Sequence, residues 1–164
     1  MTEMAELIGG EPSFWLSELP RYQQSTIADM LGSGLSFEQA ASAWLSGAVA
    51  ETTAPFGVGS VAKLYFESFL DELHDYLCVG KNYEEERKKL LNGIKPGQTG
   101  AVVWISTEIA PRLDGAPSFV APAIALSLCM IAKMGLGAWC RLQSERRNSD
   151  TPEGRSDSPQ GQPE

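Results

Sequence analysis

One histidine, three cysteines and no Cys-x-x-Cys pair leave this 164-residue chain little from which to build a metal centre or a thiol active site. His74 and Cys78 lie four residues apart, hence on one face of a helix. A zinc site needs three or four ligands, however, and a thiol nucleophile needs a separately oriented base and oxyanion donors. Packing accounts for the pair. No spaced set of acid, base and nucleophile stands elsewhere, so we expect no catalytic residue, no metal site and no cofactor.

Basic residues are scarce in the front half, where residues 1 to 80 hold eleven Asp and Glu against Arg21 and Lys63. Residues 81 to 164 hold ten acids against eleven bases, and the whole chain carries a net charge of -8. An acidic surface repels phosphate backbones, which makes nucleic acid a poor partner. The segment "MTEMAELIGGEPS" lacks a basic region followed by an apolar one, so no secretory leader is expected. Cys78, Cys129 and Cys140 cannot all pair within the chain, and each stands in an apolar or helical setting. That setting points to a reducing compartment and a cytoplasmic protein. On one continuous helix Cys129 and Cys140 would lie roughly 16 Å apart, beyond bonding distance, and both are expected in the core.

Strand signals are few, and glycine and proline cut the chain into segments with helical apolar spacing. "PSFWLSELP" and "PRYQQSTIADMLG" read as two short helices, the second ended by Gly32. "LSFEQAASAWLSG" carries Ser36 and Gln39 in capping-box relation, with Gly47 behind the last turn. "TTAPFGVG", 52 to 59, reads as a loop. Its Gly57 and Gly59, with Ser60 and Lys63 beyond, depart from the phosphate-loop pattern and are read as a loop ending in a helix cap.

"SVAKLYFESFLDELHDYLCVG" shows the clearest stripe, formed by Ala62, Phe66, Phe69, Leu73, Tyr76 and Leu77. On its other side Glu67, Asp71 and Asp75 repeat every four residues, a spacing at which like charges repel. The bases Arg87, Lys88 and Lys89 of "NYEEERKKLLNG" are expected to neutralise them across an antiparallel hairpin. "TGAVVWISTEIAPRL" mixes strand-favouring residues with the helical spacing Val102, Ile105, Ile109 and is read as helix, because a lone strand has nothing to pair with.

Phe119 to Cys140 is apolar but for Lys133. Its length permits a membrane span. Lys133 would stand about 5 Å from the span's middle at ~1.5 Å rise per residue, and the arginines that follow suit either a positive-inside flank or a helix C-terminus. We read the segment as a core helix whose Lys133 reaches solvent or a carboxylate, on Glu108 or the 61 to 78 helix. The other reading, with 101 to 110 and 119 to 140 as a central apolar hairpin, is similar in plan to the soluble form of pore-forming helical proteins.

The sequence thus predicts an all-α single-domain bundle over residues 1 to 143, with a central apolar helix at 119 to 142. A disordered polar tail is expected over 144 to 164, where apolar side chains are absent. The expected role is non-catalytic: an adaptor, inhibitor or regulatory subunit contacting another protein, or a second copy of itself. Its contact face is expected at Glu67, Asp71 and Asp75 with the aromatics Phe14, Trp15 and Phe56. The alternative is a membrane-active effector that inserts 101 to 140, with Lys133, Trp139 and Arg141 deciding between core and bilayer.

Overall fold

The computed structural model describes residues 2–9, 11–52, 58–78, 82–95 and 98–150. For residues 2, 12–13, 48–52, 58–62 and 149–150 it describes the backbone alone. Among the described residues the chain is all-α, without a strand. In order come α1 (Thr2–Leu7), α2 (Pro12–Leu16), α3 (Arg21–Gly32), α4 (Phe37–Thr52) and α5 (Val58–Leu77). After these come α6 (Glu84–Gly93), α7 (Ala101–Ile109), a 3-10 turn (Ala110–Leu113), α8 (Pro117–Met134) and α9 (Leu136–Asp150).

α8 is the centre of the bundle. Every residue from Val120 to Cys129 is buried, and α2, α4, α7 and α9 pack against it. An all-round apolar helix has no stable place on a soluble surface, so amphipathic neighbours must enclose it. α7 buries Val102, Ile105 and Ile109, so the 3.6-residue spacing prevails over the strand preference of its valines and isoleucines. On α5 the stripe Phe69, Leu73, Tyr76 and Leu77 faces inward as the periodicity requires.

Pro122 sits inside α8. Proline has no N–H, so the carbonyl of Ser118, four residues earlier, loses its helical donor. Gln23 of α3 replaces it, with Nε2 donating to Ser118 O at 3.0 Å. One residue on, Trp44 of α4 donates Nε1–H to Phe119 O at 2.8 Å.

Several boundaries differ from expectation. The apolar helix expected over 119 to 142 is two helices, separated at Gly135, whose φ of 93° is a conformation side-chain-bearing residues rarely adopt. Beyond the break α9 turns Leu136, Trp139 and Gln143 inward. α4 does not stop at Gly47 but runs to Thr52; a glycine inside a helix costs about 1 kcal/mol, which packing outweighs. α3 does end at Gly32 as expected; the left-handed residue is Gly34 beyond it, at φ 106°, with Leu35 N–H donating to Met30 O and Gly34 N–H to Leu31 O. These are the two bonds of a Schellman motif.

The region 52 to 59 is not wholly loop, since α4 reaches Thr52 and α5 opens at Val58; 53–57 lie outside the described residues. The expected tail at 144 to 164 is helical through Asp150, because its arginines and Ser144 are held by α5. Residues 151–164 lie outside the described residues.

Candidate functional site

α5 and α9 meet along a polar seam. Asp71 Oδ1 accepts from Arg146 Nη2 at 2.8 Å and lies 3.3 Å from Arg147 Nε, while Arg147 Nη1 reaches Asp75 Oδ1 at 3.4 Å. The carboxylate stripe therefore finds cations, but on α9 and not on α6 as expected. Arg87 of α6 caps the end of α5, donating to the carbonyls of Asp75 and Tyr76 at 2.8 and 3.1 Å, where the helix dipole favours a cation. Lys88 and Lys89 are exposed. Glu67 is half-buried. With Asp71 and Asp75 turned to internal arginines, the stripe is an intramolecular clasp.

His74 and Cys78 belong to the same seam. Cys78 is bonded to Cys140, a pair that the reading of the cysteines as core residues of a reducing compartment did not include, and Cys129 alone among the three is outside the disulfide. The two-helix break at Gly135 redirects α9 and lets Cys140 meet the end of α5. Burial pushes the Cys129 thiol up to about 12. Arg147 Nη1 donates to His74 Nδ1 at 3.2 Å. Nδ1 is therefore the unprotonated nitrogen, and Nε2–H donates to Ser144 Oγ at 3.1 Å.

Burial and the Arg147 guanidinium lower the His74 pKa, against the smaller pull of Asp75, the Cys140 carbonyl and Asp71. The folded state thus resists protonation while the unfolded imidazole takes a proton near pH 6.5. Stability should fall as the pH drops below that value and level off once the folded imidazole is also charged. Urea titrations between pH 7.5 and 5 should show this fall, and His74→Gln should flatten it; an equal slope in the variant would refute the assignment.

The remaining site residues scatter. Trp15 is 1% exposed and packs edge-on against half-buried Phe14, so it is core rather than contact surface. Phe56 lies outside the described residues. Lys133 stands in the exposed last turn of α8, its Nζ 5.2 Å from the centre of the Phe37 ring. It reaches solvent, and the carboxylate of Glu108 instead accepts from Tyr76 Oη at 2.9 Å. Trp139 is fully buried beside His74, whereas Arg141 is exposed. No group of three His, Cys, Asp or Glu that could hold a metal occurs among the described residues.

Sequence reasoning passed over the site that concavity picks out. A groove of about 480 Å³ lies where the α3–α4 corner meets the end of α8, walled by Leu31, Leu35, Phe37 and Met130 with Glu38 and Lys133 at its edge. Local structure builds it. The Schellman turn brings the chain round at Gly34, and the capping box follows, with Gln39 N–H donating to Ser36 Oγ at 3.1 Å and Ser36 N–H to Gln39 Oε1 at 2.9 Å. These bonds fix the corner that places Leu35 and Phe37 on the groove wall with Met130. The capping box was legible in the sequence; its position over α8 was not.

No known protein family, no curated protein and no solved structure matches the chain.

Proposed function

We propose that the protein is a non-catalytic binding module that takes up a partner protein through the groove between the α3–α4 corner and the end of α8. The groove carries the reading: large apolar side chains are held open to solvent there by a capped corner. Its occupant is a basic amphipathic helix, whose apolar anchors fill the space between Leu31, Phe37 and Met130 in the manner of helix-in-groove recognition. The net charge of -8 favours a basic partner over a second copy of this acidic chain. Glu38 lies at the rim to meet a cation.

A synthetic helical peptide of leucine and lysine in amphipathic order serves as probe. Fluorescence anisotropy should show it binding, more weakly as salt rises. The double variant Leu31→Ala/Phe37→Ala should bind at least tenfold more weakly, a loss of about 1.4 kcal/mol. Binding that ignores both salt and the double variant would remove this proposal.

Insertion of 101 to 140 into a bilayer has less support. α8 is the one helix among the described residues long and apolar enough to span, with mean hydropathy 1.6 over 18 residues, yet 61% of it is buried within the bundle. It would first have to leave its neighbours. The cytoplasmic setting stays a proposal, and the Cys78–Cys140 bond removes one of its premises, because disulfides persist mainly in oxidising compartments.

A further inference from the structure

A separate cavity of about 360 Å³ opens between the start of α3, the outer side of α7 and the first turns of α8. Leu19, Val103, Pro117 and Ala121 give it apolar walls, and its polar lining includes Glu18, Gln23 and Ser106. Gln23 is only 2% exposed. Its amide orientation is determined, because the Ser118 carbonyl left free by Pro122 requires a donor and receives Nε2–H. Oε1 is then the remaining atom, and it is buried with no hydrogen-bond partner.

Glu18 has the same deficit. Its Oε1 accepts the Val102 N–H at 3.2 Å at the start of α7, while Oε2 is buried without a partner. Burial raises its pKa, against the opposing pull of the Gly100, Val103 and Val102 amides. Ser106 spends its only proton on Val102 O at 2.6 Å, which leaves its lone pairs. The three groups therefore offer acceptors, and no basic side chain lines the cavity.

Buried acceptors of this kind call for a head group that only donates. A primary ammonium has three N–H donors, no acceptor and the charge that a buried carboxylate lacks. A hydroxyl would bring lone pairs of its own, a carboxylate would be repelled, and a guanidinium carries five donors to three groups. We propose that this cavity binds a small primary alkylammonium ion, with its NH3+ on Glu18, Gln23 and Ser106 and its alkyl body against Leu19, Val103, Pro117 and Ala121. The volume lies near the small end of the ~300–1,000 Å³ range of ligand pockets. The head group must pass the apolar wall to reach buried oxygens, which a free amine does without desolvating a peptide backbone. The site shares no residue with the groove, so either proposal can fail alone.

Isothermal titration of the full chain tests this with n-hexylammonium, 1-hexanol, hexanoate and Nα-acetyl-lysine N-methylamide. Hexylammonium should bind at least tenfold more tightly than hexanol, and hexanoate should give no heat. Glu18→Gln should bring hexylammonium down to the level of hexanol. Because Glu18 also caps α7, a second variant at an exposed position, Val103→Trp, covers the cavity from outside and should remove binding in a chain that melts as wild type does. No binding of hexylammonium, equal binding of hexanol, or binding that survives Val103→Trp would each overturn the proposal. Binding of the lysine derivative as tightly as hexylammonium would overturn the free amine as its ligand.

Discussion

Reduction of the Cys78–Cys140 bond is expected to lower the melting temperature by about 8–16 °C. The bond closes a sequence separation of 62 residues between the end of α5 and the middle of α9. A loop of that length restricts the unfolded chain by about 4 kcal/mol in the chain-entropy account. For a protein of this size each kcal/mol moves the midpoint by about 2–4 °C. Calorimetry with and without a phosphine reductant measures the shift. The double variant Cys78→Ala/Cys140→Ala should melt near the reduced protein and be indifferent to reductant. Cys129 does not confuse the reading, since it is buried and its thiol is pushed up to about 12, which leaves it without the reactive thiolate. Alkylation of the unfolded, unreduced chain should label Cys129 alone. Labelling of all three cysteines would show that the bond does not form.

Trp139→Ala should cost about 3–5 kcal/mol, as removal of a buried tryptophan does elsewhere. Trp139 is fully buried in the first turn of α9, and its side chain meets the ring of His74. An interfacial anchor waiting for a bilayer would stand in water, and its loss would leave the soluble protein's stability nearly unchanged. Urea unfolding distinguishes the two. Trp139→Phe should be milder than the alanine change for a second reason: the indole Nε1–H is buried without a partner, so its removal also removes an unsatisfied donor. A loss under about 1 kcal/mol for Trp139→Ala would return this residue to the surface.

Local signals were the dependable part of the sequence. The Ser36–Gln39 capping box forms as its spacing requires, Phe69, Leu73, Tyr76 and Leu77 of the α5 stripe are buried, and α7 is a helix despite its β-branched residues. Each depends on residues within one or two turns, where side-chain period and hydrogen-bond reach leave few alternatives. Misjudged boundaries came from glycine. Gly47 lies within a helix while Gly135 interrupts one, and the residue type alone does not distinguish these uses, since glycine tolerates both conformations.

Helical class and the buried character of the apolar segment could both be read from the order of residues, because they follow from periodicity along one chain. Which charges meet could not. Asp71 and Asp75 accept arginines from about 70 residues away in a segment expected to be disordered, and Cys78 bonds a cysteine that one straight helix would have carried elsewhere. Lys133 reached solvent because the helix ends one residue later, at Met134, before Gly135. The groove and the Glu18–Gln23 cavity likewise arise from side chains on three or more elements. Such meetings are decided by how helices cross and where each one stops, and that geometry is set by packing of the whole core.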